Sequence, residues 1–364
     1  MGFETFRGNT LTVRRLREMI ARDHLPHAII LTGQRGSGKF TLAQMVAKAV
    51  NCLEHPLAAD GLPDFCGRCS NCERIARADD LEQRFAEAIE AREEMRDSDK
   101  RETRIFVQTH PEVLIVPPDP PQMLVKVDQV RHVIGEMYFR PGEGRQKFYI
   151  FSEASFMKEA ANALLKVLEE PPEFATLFLL AENSNSLLPT IRSRCVTLPL
   201  APLTAEEIAA DLATRTEWTA AQKKLVARLC GGAVGRARSF DLNGYLAARK
   251  EALLLLTTAL EADDHSALFR ATESYRAGGE GKARTDLLIS VLYSLLEDLL
   301  FLQSGTPELM RHQDLQPELA KIAQQAGFEW IARASAGLAE VQNGMRRNLL
   351  RSLSLDGFSA SLES

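Results

Sequence analysis

The sequence has no apolar run approaching the ~20 residues that a membrane-spanning helix needs. Its opening residues, Met1-Gly2-Phe3-Glu4-Thr5-Phe6-Arg7, lack the apolar core of a secretory signal. Phe6 stands where a myristoylation signal wants Ser or Thr. From these absences a cytoplasmic chain is expected. Positive charge is not in excess: 49 acidic against 44 basic residues leave a net charge of −5. No overall field draws the chain to nucleic acid, so any DNA contact is local or made through partners. Cysteine is sparse, at six residues in 364, and in a reducing compartment it does not build a disulfide framework. No short repeat recurs. What remains is an ordinary globular composition, 45% hydrophobic and 26% charged, with length for two or three domains that each bury a core.

A second absence sits inside a motif. Gly33-Gln34-Arg35-Gly36-Ser37-Gly38-Lys39-Phe40-Thr41 follows a short apolar strand, His27 to Leu31, and precedes a helix patterned by Leu42, Met45, Val46, Ala49 and Val50. A glycine-rich turn from strand to helix aims backbone N–H groups and a helix N-terminus at one spot, which suits a polyphosphate. Gly33, Gly36, Gly38 and Lys39 are therefore candidate nucleotide contacts. The motif then needs a hydroxyl on magnesium, and Phe40 has none. Thr41, the neighbouring candidate, lies one residue late, about 100° further round the helix.

Strands and helices alternate after the loop. Glu112–Val116, Lys147–Phe151, Thr176–Ala181 and Cys195–Leu198 read as strands, so with the first there are five. Helices are expected over the stretch leading to Asp23, with Leu11, Val13, Leu16, Met19 and Ile20 near one face, over Val127–Tyr138 and over Glu159–Glu169. This alternation implies a parallel sheet covered on both faces. Arg77–Arg104 is dense in charges of both signs, with Leu81, Phe85, Ala88 and Ile89 at helical spacing. It reads as a solvated helix or helical hairpin. Pro117–Pro121 is a stiff loop. From Thr204 onward only helices are expected. They include an apolar stripe from Leu288 to Leu302 and a last amphipathic helix over about Glu329–Leu355.

The acidic metal site of a P-loop ATPase belongs at the end of the strand Lys147–Phe151. There the chain reads Phe151-Ser152-Glu153. Ser152 replaces the magnesium-holding Asp, while Glu153 remains, either to polarise water or only to cap and pair. With Phe40 and Ser152 together, both protein ligands of magnesium are gone, which argues against hydrolysis at this site. Cys52, Cys66, Cys69 and Cys72 have metal-site spacing. Four thiolates complete a tetrahedral zinc ion and make a structural site. An iron–sulfur cluster is the rival, and His55 is the substitute for Cys52 as ligand.

Ala160-Ala161-Asn162-Ala163-Leu164-Leu165-Lys166-Val167-Leu168-Glu169-Glu170-Pro171-Pro172 and Leu188-Pro189-Thr190-Ile191-Arg192-Ser193-Arg194-Cys195 resemble signatures of the AAA+ clamp-loader group of the DNA polymerase III holoenzyme. His24-Leu25-Pro26-His27-Ala28 and His110-Pro111-Glu112-Val113 are similar to landmarks of the same group. The resemblance covers roughly Phe3 to Phe240 well and the rest loosely. It implies a RecA-like α/β domain (1–200) with a zinc module (52–75) and the charged insertion (77–104), a small helical lid (201–243) and an all-α collar (244–364). It implies that Arg194 is an arginine finger for a neighbour's ATP, with Arg192 the local competitor. Arg236 is either a nucleotide sensor or a packing remnant, and Asn183 is the nearest match to a first sensor. Implied partners are the other subunits of a hetero-oligomeric ring, the sliding clamp and, indirectly, primed DNA. The degenerate loop sets the chain with the non-motor subunits. An ATP-hydrolysing motor subunit is the alternative, and a DNA-binding regulator with a degenerate nucleotide switch is a third reading.

Overall fold

The computed structural model describes residues 2–261, 278–346 and 358. Two compact units emerge. One holds residues up to Asp211 together with Cys230–Arg238, and the other holds Leu212–Leu229 and the chain from Ser239 onward.

The first unit is built on a six-stranded sheet of order β2-β3-β4-β5-β1-β6. The strands are β1 (Ala28–Thr32), β2 (Val107–His110), β3 (Val113–Val116), β4 (Lys147–Phe151), β5 (Ala175–Ala181) and β6 (Val196–Pro199). All but β2 run parallel. β2 is the strand that sequence reasoning missed, and it pairs antiparallel with β3 at the sheet edge. Its four residues include Gln108 and Thr109, so it carries no apolar run to announce it. The central strands are apolar at most positions because both faces are covered. Ile29 and Leu31 point to one side, against Leu16 of helix α1 (Thr10–Ala21) and Leu42 and Val46 of α2 (Lys39–Asn51). Ala28 and Ile30 point to the other, against Val130, Val133 and Met137 of α6 (Val127–Met137) and Leu164 and Val167 of α7 (Lys158–Glu169).

Leu11, expected on the inner face of α1, is 74% exposed. The inward position belongs to Arg17, whose aliphatic stem is buried while its guanidinium donates to Asp60 at 2.7 and 2.8 Å. Three short helices, α3 (Ser70–Ala76), α4 (Leu81–Glu93) and α5 (Asp97–Glu102), lie between α2 and β2. The charged insertion is therefore helical, as its spacing predicts. α4 buries no residue fully, though Leu81 and Phe85 are half-covered. Its ends are tied down: Lys48 donates to Asp79 at 2.6 Å just ahead of it, and Arg92 donates to the buried Asp119 at 2.7 Å. α8 (Pro189–Arg192), α9 (Ala205–Asp211) and α11 (Val234–Arg238) complete this unit.

The second unit is all helix among the described residues: α10 (Ala220–Leu229), α12 (Leu242–Glu261), α13 (Gly278–Gln303), α14 (Gln316–Gln325) and α15 (Phe328–Arg346). Leu288, Leu292, Leu295 and Leu299 of the expected stripe are buried among Leu256, Leu319, Ile331 and Leu338. Residues 347–355 of the expected last helix lie outside the described residues. A polar chain crosses this apolar core. The Tyr245 hydroxyl meets His312 Nε2 at 2.6 Å, and His312 Nδ1 meets Asp298 Oδ2 at 2.7 Å.

Candidate functional site

Strand β1 delivers the chain into Gly33, and α2 begins at Lys39. Gly36 and Gly38 have φ of 82° and 91°, a region that favours glycine. The loop thus has the backbone of a phosphate cradle, and several of its polar groups are engaged within the chain. Lys39 Nζ donates to the carbonyls of Gly33 and Gln34, the latter at 2.9 Å. The Ser37 N–H donates to Gln34 O at 3.1 Å. The Gly235 N–H, in α11, donates to Gly36 O at 2.8 Å, and the Gln34 amide donates to Gly231 O. A Cβ at Gly36 would come within 2.8 Å of Arg236 Cγ, and one at Gly38 within 2.9 Å of the Phe6 ring. The ammonium and one loop N–H are thus engaged within the chain, and side chains pack closely over two of the glycines. Ser37 Oγ is buried and without a hydrogen bond among the described residues. Burial pulls the Lys39 pKa below its ordinary value, and Glu182 and Glu153 act in the opposite direction.

β4 ends at Phe151, and Ser152 and Glu153 follow it beside the loop. They line a cleft of about 260 Å³ together with Lys39, Glu182, Leu81 and Phe85. Glu182, just past β5, was missed by sequence reasoning, which singled out only its neighbour Asn183. Asn183 caps a turn by accepting from the Asn185 N–H at 2.9 Å. Glu153 accepts from the Ser155 hydroxyl at 3.2 Å. Phe40 packs against the apolar cluster on the α1–α2 face of the sheet. Thr41 opens onto a different hollow, with Phe6, Arg7 and Arg238. Neither residue offers a hydroxyl to the cleft. Arg236 is exposed and lies over Gly36. Its neighbour Arg238 joins Arg7 on the carboxylate of Asp211, a contact with no sequence signal. Arg238, then Arg7, hold that carboxyl below the usual range.

Arg194 follows α8 and precedes β6. Its Nη1 donates to Thr190 O at 3.0 Å and its Nη2 to Glu169 at 2.7 Å. Arg192 is turned away, toward Asn185. The four cysteines converge. Cys52 ends α2, Cys69 caps α3, Cys72 lies inside it, and Cys66 sits in the loop before it. Their sulfurs lie within 4.8 Å of one another, and His55 is not among them. Backbone N–H groups of Cys66, Cys69 and Cys72 donate to the sulfurs of Cys52, Cys66 and Cys69 at 3.3–3.5 Å. Burial works upward on the Cys69 thiol, but hydrogen bonds from the Leu53 and Cys72 N–H groups and with the Cys72 and Cys66 sulfurs bring it down to about 7. Four converging sulfurs with N–H donors around them fit a metal ion.

Over 336 residues the chain is 26% identical to the DNA polymerase III subunit delta' of Bacillus subtilis, covering 92% of this chain and 90% of that protein. It is 32% identical over 171 residues to the Pseudomonas aeruginosa subunit delta', covering 47% of this chain and 42% of that one. It is 27% identical over 310 residues to the subunit tau of Escherichia coli, of which it spans 38%. Among solved structures, a DNA polymerase III gamma subunit-related protein from Thermotoga maritima superposes with a TM-score of 0.41 at 18% identity, over 97% of this chain and 98% of that one. The sequence model of the family described as DNA polymerase III, delta subunit, matches residues 8–204, more than half of the chain, and the chain belongs to that family.

Proposed function

We propose that the chain is a delta-prime-type, non-motor subunit of a cytoplasmic DNA polymerase III clamp loader. In this reading it does not hydrolyse ATP, supplies Arg194 to a neighbouring subunit's ATP, and helps place the sliding clamp on primed DNA. Residues 1–200, 201–243 and 244–364 act as its α/β, lid and collar domains. The cysteine cluster holds a structural zinc ion.

The observation that carries the reading is the contrast between two ends of one sheet. At Lys39 the cradle is closed by its own chain and by α11. At the other end the partly exposed Arg194 guanidinium is held by Thr190 O, Ser193 Oγ and the half-open Glu169 carboxylate, an ion pair that can be exchanged. A planar, permanently charged fork stabilises phosphoryl charge and is worth about 10³–10⁵ in rate where such fingers act. The similarity to tau-type subunits keeps the motor-subunit alternative in view, and Phe40 and Ser152 weigh against it.

The test is ATPase and clamp loading by complexes reconstituted with the partner subunits. Arg194→Ala and Arg194→Lys are expected to slow both reactions to a similar degree, since an ammonium keeps the charge but loses the fork. Lys39→Ala is expected to do far less. A damaging Lys39→Ala beside a silent Arg194→Ala sinks the assignment. Magnesium-dependent turnover by the pure chain supports the motor subunit instead.

A further inference from the structure

Arg194 is not waiting in solvent. Its Nη2 donates to Glu169 Oε1 at 2.7 Å, while Nη1 donates to Thr190 O at 3.0 Å and to Ser193 Oγ at 3.4 Å. Two of these acceptors are neutral and belong to the same short turn that carries the arginine. The third is a carboxylate from another element, the last residue of α7, where Pro171 and Pro172 stop the helix. Glu169 gains nothing from its own helix, whose C-terminal end is negative. No cation other than Arg194 pairs with it among the described residues. Both side chains are partly open, at 35% and 53%, so the pair can separate without exposing a core.

We propose that Glu169 is a positioning residue that parks the Arg194 guanidinium and must be displaced by the phosphate oxygens of a neighbouring subunit's nucleotide. This rests on the arginine-finger reading above. Thr190 and Ser193 hold Nη1, so the exchange takes place at Nη2 and needs no backbone movement. A triphosphate arriving at Nη2 meets the Glu169 carboxylate at close range, and like charges repel. The carboxylate therefore competes with the nucleotide for the same donor. The finger engages only when the incoming charge outweighs one carboxylate, which ties engagement to a fully charged nucleotide next door.

Competition of this kind changes the concentration dependence rather than the maximal rate. Glu169→Gln keeps the shape and an acceptor oxygen but removes the charge. In the reconstituted complex it is expected to lower the ATP concentration for half-maximal ATPase by about two- to five-fold, the range of a partly exposed ion pair. The maximal rate should stay nearly unchanged. Glu170→Gln, the same charge change one residue on, should shift nothing. Glu169→Gln added to Arg194→Ala should also shift nothing further, because the effect runs through the guanidinium. If Arg194→Ala slows the complex while Glu169→Gln leaves the half-maximal concentration alone, the parking role is wrong and the finger stands. If Glu169→Gln lowers the maximal rate as Arg194→Ala does, Glu169 only holds the arginine in place, and the proposal fails. If Arg194→Ala is silent, the finger reading itself fails and takes this proposal with it.

Discussion

Replacing Lys39 with methionine separates a closed structural loop from a working nucleotide site. In this chain the ammonium bridges Gly33 O and Gln34 O. Methionine keeps most of the stem and removes both donors. A hydrogen bond from a charged group contributes roughly 1.5–3 kcal/mol, so two amount to about 3–6 kcal/mol before offsets. The offsets run the other way. The lysine is about half buried, and its folded pKa lies below the unfolded one because burial disfavours the charge. A depressed lysine pKa means that holding the charge costs stability at neutral pH, and that cost fades as pH rises through the folded pKa. The orphaned carbonyls can also recruit water at the cleft mouth. A net loss of about 1–2 kcal/mol remains, or about 2–8 °C in the melting midpoint of a unit this size. Thermal unfolding, followed in parallel with binding of a fluorescent ATP analogue, reads both quantities. The expected result is a lower midpoint and no change in a negligible nucleotide affinity. An unchanged midpoint together with lost magnesium-dependent nucleotide binding would show that Lys39 serves a ligand and that the closed loop is misread.

Three further outcomes are expected. Protein purified without added metal should carry one zinc ion per chain, and Cys69→Ser should loosen Cys52–Ile75 to proteolysis while the α/β unit stays folded; iron with sulfide, or no metal, refutes the site. Asp211 has a folded pKa held below the unfolded value, first by Arg238, so its contribution is present above the ordinary carboxylate range and is lost as pH falls through the folded pKa, below about pH 4. Asp211→Asn should therefore lower stability at pH 7 and flatten the acid loss, and equal acid profiles for both proteins would contradict the assignment. In the helical unit, Asp298 accepts from the Arg311 and His312 N–H groups at 2.8 Å and meets His312 Nδ1 at 2.7 Å, fully buried; Asp298→Ala should cost about 3–5 kcal/mol by leaving those donors unpaired, whereas Tyr245→Phe should cost about 1 kcal/mol, and urea unfolding that ranks them in reverse refutes the network.

Much of the fold was legible because its signals are local. Apolar runs mark the central parallel strands, since strands covered on both faces are mostly apolar; β6, exposed at three of its four positions, is read from its short run alone. The loop, its missing hydroxyl at Phe40 and the substitution at Ser152 are read within a few residues. So is most of the cysteine cluster, because Cys66, Cys69 and Cys72 are spaced by a turn and the start of a helix. The insertion's helical character is likewise carried by its own i, i+3 and i+4 spacing.

What the residues do with one another was decided in three dimensions. β2 has too few apolar positions to declare itself and becomes a strand only because β3 offers an edge. Lys39 reads as a phosphate-seeking lysine until the folded loop shows its carbonyls within reach and α11 closing over Gly36. Arg7 and Arg238 meet on Asp211, and Glu169 meets Arg194, across stretches of chain that carry no periodic trace of the pairing. Apolar burial repeats with the geometry of a helix or strand, so it is written along the sequence. A polar contact needs only one donor and one acceptor brought together once, at a separation set by the path of the whole chain, and a single sequence holds no repeat from which to read it.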